Sequence, residues 1–239
     1  MNILAIETTA AFASAAIIDK DECVHEVISE GNFTHLQNLI PLVDQVLEEC
    51  DMKLEEIEGI AVSRGPGSFT GIRIGVSTAK ALAQALNVKV AQVPTLKAMA
   101  LNFYNFGGIV CPILDARRDQ VYSAAYVFEE DEQVELYPEG AYYLDEVIDK
   151  LGGKGPVIFI GDGVSSEVIR SRLEEEIGRE AFFAAPEKRI QTAEMVAVLG
   201  LEIHKAGEAV SYVEAQPEYL RKSEAERNLE LKKCGQKQQ

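Results

Sequence analysis

The residues best suited by type and spacing to do chemistry lie between Ser63 and Gly75, in the stretch SRGPGSFTGIRIG. Gly65, Gly67 and Gly71 permit backbone angles closed to other residues, Pro66 fixes one angle, and Ser68 or Thr70 offers an oxygen to cap a following helix. Such a turn points unpaired N–H groups and a partial positive charge outward, so it can hold an anion such as a phosphate. It is not a Walker A loop, because no Lys-Ser/Thr follows the last glycine, and its GxGxxxG spacing is not the dinucleotide pattern. A strand-to-helix turn that needs glycine only for its shape fits the same residues. Glu7, Thr8, Thr9 and Ser14 surround an earlier turn, where hydroxyls could face a ligand or simply line a solvated hairpin. His25, His35 and His204 are the only histidines and none has another at i+4, which gives metal ligation or histidine acid–base chemistry little support. Ser68 has no evident histidine partner and no GxSxG elbow occurs, which argues against a peptidase.

These residues need elements to hold them. Residues 2 to 30 read as three short strands in an antiparallel meander. Asn32 or Thr34 can then cap a helix whose stripe is Leu36, Leu39, Ile40, Val43, Val46, Leu47 and Cys50, with Pro41 expected to kink it or delay its start. IEGIAVS is a fourth strand, GIRIGVSTAKALAQALN a helix, VKVAQVPT a fifth strand and LKAMALNFY a further helical turn or two. From about residue 105 the pattern restarts. GIVCPILDAR and QVYSAAYVFEE form a hairpin across the charged turn at 117 to 120, an echo of the N-terminal one that suggests a duplicated unit. LDEVIDKLGG reads as a helix ended by glycine, 155 to 177 as strand, glycine turn at Gly161 to Gly163, and helix, and 190 to 207 as a helix begun near Thr192.

In the helix after the glycine loop, Gly71, Gly75, Ala79 and Ala83 recur every four residues and form a ridge with almost no side chain. Another helix can approach such a ridge closely. The 35 to 50 helix of the same chain could occupy it, or a helix of a partner subunit.

Composition narrows the function further. Across 239 residues, 23 basic side chains stand against 39 acidic ones, a net charge of -16. So acidic a chain repels polyanions, which argues against unaided binding to RNA, DNA or an anionic membrane; in serving a nucleic acid it needs a partner to make the phosphate contacts. The N-terminus has no basic region before its apolar residues, and nothing approaches the ~18 apolar residues of a membrane span, so a cytoplasmic location is expected. Cys23, Cys50, Cys111 and Cys234 are scattered without a CxxC pair, as reduced thiols would be.

Four segments together resemble the bacterial TsaB (YeaZ) family of the ASKHA superfamily, which unites actin, sugar kinases and heat-shock ATPases. They are SRGPGSFTGIRIGVSTAKALA at 63 to 83, the opening ILAIETT, LDARRDQVY at 114 to 122 and PEYLR at 217 to 221, and the similarity runs to about Leu220. The resemblance implies an α/β, duplicated ribonuclease H-like fold with mixed sheets flanked by helices and a reduced second domain. Its parts would be 1–105, 106–190, a C-terminal helix and extension at 191–221 with the 191–206 helix packed back on the first domain, and a tail at 222–239 without order. It implies a role in forming threonylcarbamoyladenosine beside the tRNA anticodon, as a non-catalytic partner of the TsaD paralogue. TsaD transfers the threonylcarbamoyl group, the TsaE ATPase joins a larger complex, and TsaC makes the donor. Family heterodimers pair through N-terminal helices, which would put His35, Leu36 and Leu39 with Gly71, Gly75, Ala79 and Ala83 at the interface, and would allow a homodimer when the paralogue is absent. The acid-glycine turns that active superfamily members use for phosphate read Glu7-Thr8-Thr9 and Asp115-Ala116-Arg117 here, both without glycine, and the paralogue's metal-binding HxxxH is absent. Gly65, Gly67, Ser68, Gly161 and Gly163 stay as candidate nucleotide or anion loops, with ATP or ADP at the subunit junction as the cofactor they would serve. The competing reading is an active ATPase or small-molecule kinase built on Glu7, Asp115 and the 65–71 loop.

Overall fold

The segments ILAIE and SAAII are apolar or small except for Glu7 and Ser14, and all ten of their residues are buried, as strands are when both faces of the sheet are covered. A computed structural model shows how. It describes residues 1–29, 35–117, 119–130 and 132–221, without the side chains of 35–38. Asn32 and Thr34, expected to cap the first helix, and the tail at 222–239 lie outside the described residues.

The order of elements is one unit written twice. The first is β1 (Ile3–Glu7), β2 (Ser14–Ile18), β3 (Val24–Ile28), α1 (His35–Glu49), β4 (Gly59–Gly65), α2 (Phe69–Leu86), β5 (Val90–Pro94) and α3 (Thr95–Leu101). The second is β6 (Ile109–Asp115), β7 (Gln120–Glu129), β8 (Glu132–Tyr143), α4 (Leu144–Leu151), β9 (Val157–Ile160), α5 (Glu167–Ile177), β10 (Ala181–Phe183) and α6 (Ala193–Lys205). The sheets run β3-β2-β1-β4-β5 and β8-β7-β6-β9-β10, each with an antiparallel meander followed by two parallel strands. The echo between the hairpins is therefore a full duplication. The helices of the second unit facing outward, α4 and α5, are shorter than α1 and α2.

Four apolar clusters give the layers. Leu39, Val43 and Val46 of α1 and Ile72, Val76 and Ala79 of α2 cover the outer face of the first sheet, and Val147, Leu151 and Leu173 of α4 and α5 cover that of the second. Between the sheets the last helices are exchanged. α6, from the second unit, lays Val196, Ala197 and Leu201 on the first sheet, where Gly200 meets Ala61 so closely that a Cβ would sit 2.3 Å from the alanine's. α3, from the first unit, puts Leu96, Met99 and Ala100 against the second sheet and Ala98 against the first.

One expectation from sequence differs from the structure, and two strands and the cap of the last helix go beyond what the sequence shows. β8 and β10 have no clear signal in sequence: β8 is largely polar and contains Pro138, so it reads as loop until β7 supplies its partner. α1 is continuous through Pro41, which is exposed. Thr192 precedes α6 but makes no side-chain cap; Ser14 Oγ accepts from Ala193 N at 2.8 Å and Glu26 Oε1 from Glu194 N at 2.9 Å, so the helix is capped by strands of the other unit. Ser14→Ala should cost ~1 kcal/mol in urea unfolding, the usual loss for a missing N-terminal cap.

Candidate functional site

The turn after β1 is buried, not solvated: Glu7, Thr8, Thr9 and Ser14 are all nearly inaccessible. Glu7 accepts hydrogen bonds from Ser63 Oγ and Thr9 N, closing the turn on itself and on the end of β4. Burial raises the Glu7 carboxyl above its ordinary value, against the pull of these bonds. Thr8 Oγ1 donates to Gly71 O at 2.7 Å, and Ser68 N donates to Thr9 O at 2.9 Å. Ser68 caps α2 by accepting from Gly71 N at 3.2 Å, as its position suggested.

The glycine loop is pressed onto this turn. A Cβ on Gly71 would lie 1.9 Å from Thr8 O, on Gly75 2.3 Å from Thr8 Oγ1, and on Gly67 2.6 Å from Thr9 Cβ. A Cβ on Gly65 would lie 2.6 Å from Glu218 O, and Gly65 has φ +119°, which itself favours glycine. The second unit repeats the arrangement. Gly161 and Gly163 lie against Ile113 O, and Asp162 Oδ1 accepts from Asp115 N at 3.1 Å. Both loops read as candidate anion cradles thus spend their glycines on close packing inside the chain.

The small-residue ridge has the same fate. Gly71 and Gly75 accommodate Thr8, while Ala79, Ala83 and Leu39 are buried in the core under α1 and α2, so none of the five presents a surface to a partner. His35 and Leu36 lie in α1, and their side chains fall outside the described residues. The outward line of α2 is instead Arg73, Ser77, Ala81 and Ala85, again at intervals of four and small after the arginine. On α1, Ile40 is 47% exposed and Pro41 is exposed beside it.

The segment after α6, outside every candidate site, forms a strap across these parts. Val210 and Val90 exchange backbone hydrogen bonds, Lys80 Nζ donates to Ala215 O at 2.8 Å, and Gln92 Nε2 to Gln216 O at 2.5 Å. Glu218 N donates to Arg64 O at 2.8 Å, and the Glu218 carboxylate lies 2.7 Å from Arg64 Nε, a charge contact without hydrogen-bond alignment. Tyr219 stacks on Phe69 with ring centres 4.6 Å apart and accepts from Arg73 Nε at 2.8 Å. Arg221 Nη1 then donates to Ala116 O and, at 3.0 Å, to Arg117 O, on the turn between β6 and β7.

Between α3 and α6, Glu7, Thr95, Asn102, Gln191 and Thr192 border a narrow crevice, and Thr95 Oγ1 is buried there without a protein partner. Among the described residues no group of three His, Cys, Asp or Glu side chains is placed to hold a metal ion, and no helix is long and apolar enough to cross a membrane. The three described cysteines are free, and burial pushes the Cys111 thiol up to about 11, so it stays protonated.

Comparison with known proteins gives a consistent family. A model described as TsaD, tRNA N6-adenosine threonylcarbamoyltransferase, matches residues 29–229. The tRNA threonylcarbamoyladenosine biosynthesis protein TsaB of Bacillus subtilis is 33% identical over 227 residues, covering 95% of this chain and 96% of its own. The protein of that name in Escherichia coli is 29% identical over 240 residues, covering 96% and 98%. YeaZ from Pseudomonas aeruginosa superposes with a TM-score of 0.77 at 26% identity, over 91% of this chain and 99% of the other.

Proposed function

The chain belongs to the TsaB (YeaZ) family of tRNA threonylcarbamoyladenosine biosynthesis proteins, and we propose that within that process it is a non-catalytic partner that activates a TsaD-like paralogue by forming a heterodimer with it. One observation carries the non-catalytic part. The two hairpin turns of the duplicated fold, at Glu7-Thr8-Thr9 and Asp115-Ala116-Arg117, are each taken up by other parts of the chain: the first by Gly67, Gly71 and Gly75, the second by Asp162 and Arg221. A phosphate would have to displace packed backbone at the first turn and the Asp162 and Arg221 side chains at the second. The reading therefore expects no binding of ATP by the isolated chain in calorimetric titration; tight binding with turnover would replace it with an ATPase or kinase.

The partner would dock on the outer surface of α1 and α2. Its approach is made close by Ser77, Ala81 and Ala85 on α2 and is given apolar area by Ile40 and Pro41 on α1. This relocates the expected interface by about half a turn of helix, from the buried ridge to the exposed one. A TsaE-like ATPase would join the assembled pair, tRNA would be held by the partner and not by this acidic chain, and the same surface would support a homodimer when the paralogue is missing. ATP or ADP, if used, would sit at the junction of the subunits.

Ala81→Arg and Ser77→Arg test the surface directly. Each should weaken heterodimer formation with the TsaD-like paralogue of the source cell at least ~tenfold in calorimetry, while changing monomer stability by only ~0.5 kcal/mol, because both positions are exposed. A heterodimer of unchanged affinity in both variants would reject this docking surface.

A further inference from the structure

The aromatic residue of the PEYLR segment, Tyr219, acts on one side chain of α2. Its ring stacks on Phe69 and its hydroxyl accepts from Arg73 Nε at 2.8 Å, while the Arg73 guanidinium carbon lies 3.9 Å from the centre of the Phe69 ring and 5.6 Å from that of Tyr219. A long, exposed arginine on a helix ordinarily samples many rotamers. Here the guanidinium rests on one ring and its Nε is tied to the hydroxyl of the other, which leaves the two terminal nitrogens as a fork held in place at an exposed position.

Both tethers are neutral. The strap carboxylate next in the chain, Glu218, is taken up by Arg64, and Lys80, two turns further along α2, donates to the carbonyls of Val213 and Ala215. The flank of α2 that meets the strap therefore carries the cations Arg73 and Lys80 on uncharged partners, in a chain whose net charge is -16. α1, packed beside α2 in the same apolar cluster, exposes Asp44, Glu48 and Glu49 instead. From Arg73 the outward line of α2 continues into Ser77, Ala81 and Ala85, whose small side chains let a helix come close.

We propose that Arg73 is the anchor of the docking surface on α1 and α2, an inference that rests on that reading: its fork grips the carboxylate of an Asp or Glu on the docking helix of the TsaD-like partner, and Tyr219 and Phe69 are the positioning residues that hold it open. A planar guanidinium takes a carboxylate through two parallel N–H bonds, a geometry that a fixed fork offers without further ordering. The anchor also sets direction. The partner's acidic residue must meet the N-terminal end of α2, and basic residues of the same helix are then turned toward Asp44 and Glu48. The strap is what makes the anchor, because without the Tyr219 hydroxyl the arginine is an ordinary flexible cation.

The test measures heterodimer affinity by calorimetry with the purified TsaD-like paralogue of the source cell, at two salt concentrations, for Arg73→Met, Arg73→Lys and Tyr219→Phe in the full chain. Arg73→Met should bind ~thirtyfold or more weakly and lose much of the salt dependence of the wild type. Arg73→Lys, which keeps the charge without the fork, should stay at least ~fivefold weaker than wild type. Tyr219→Phe keeps the ring stack and should cost ~threefold, with amide exchange across 209–221 as in the wild type. If Ala81→Arg disrupts the pair while Arg73→Met leaves affinity and salt dependence unchanged, the docking surface stands and the anchor is overturned. Full affinity in Ala81→Arg and Ser77→Arg rejects the surface itself, and the anchor with it. A loss in Arg73→Met with wild-type salt dependence makes Arg73 a packing contact and overturns the grip on a carboxylate. A gel shift of tRNA by this chain alone that Arg73→Met abolishes assigns the fork to a phosphate and overturns it equally.

Discussion

Gly71→Ala should destabilise the protein by ~3–5 kcal/mol in urea or thermal unfolding, a large share of the ~5–15 kcal/mol that holds an ordinary domain folded. The sign is what makes the experiment informative. Gly71 sits in the first turn of α2 with no left-handed backbone requirement, and exchanging a helical glycine for alanine ordinarily gains up to ~1 kcal/mol. Here the new methyl would lie 1.9 Å from the carbonyl oxygen of Thr8, a backbone atom in a turn tied down by Glu7, Ser63 and Ser68. Neither side can yield without breaking those bonds. Gly75→Ala offers a milder case, because its obstacle is the Thr8 hydroxyl, which can rotate away if it gives up its bond to Gly71 O; a loss of ~1–2 kcal/mol is expected. Exposed Ala81→Val should be near neutral. A series in which Gly71→Ala is stabilising would mean that the turn does not rest on α2.

Glu139→Gln should make stability depend less on pH, with the gain appearing on the alkaline side. Burial is the main cause that raises this carboxyl from 4.5 to about 7, opposed by the hydrogen bond from Lys97 N, the positive charge of Arg64 and the Tyr126 hydroxyl. The native state therefore keeps a proton that the unfolded chain has already lost between those values. Where the native state binds more protons, stability falls with rising pH, so the contribution of Glu139 is greatest at low pH, is lost progressively from about 4.5 to 7 and is fully lost above. Each tenfold difference in proton affinity between the folded and unfolded chain is worth ~1.4 kcal/mol, so this side chain costs the protein roughly 2 kcal/mol more at about pH 8 than at about pH 5. Glutamine retains an oxygen for Lys97 N and has nothing to ionise. Urea unfolding at those two pH values should show the variant gaining on the wild type by about that difference; an equal effect at both would mean that Glu139 is charged throughout.

Much of the architecture is legible in sequence because it is written twice. The meander at 2 to 30 and the hairpin restarting near 109 carry the same alternation of apolar strand and tight turn, and the helices have clear stripes. The edges of the second sheet are less legible. β8 draws its place from pairing with β7, not from its own composition, and β10 is three residues long. The site is hidden for a more instructive reason. A stripe of Gly71, Gly75, Ala79 and Ala83 says that something comes close; it does not say what. The visitor is Thr8, 63 residues earlier than Gly71, and its approaching atoms are a carbonyl and a hydroxyl that pattern reading would never single out. The signal that could have found it is the Thr8 hydroxyl after Glu7: buried, it needs an internal partner, and the glycine loop supplies one in Gly71 O. Arg221 is invisible in the same way, since its acceptors are backbone atoms of Ala116 and Arg117.

The exchange of final helices between the two units makes the ancestral duplication a one-way step. If the chain were cut near residue 105, the first fragment would expose Ile3, Ala5, Ala61 and Val93, which α6 now shelters, and would carry α3 away from the sheet that needs it. The second fragment would be left with the reverse deficit. Each repeat keeps its own strands and outer helices yet has surrendered the closing helix of its core to its twin, so neither can be inherited, lost or recombined alone. What began as two copies has become a single heritable unit.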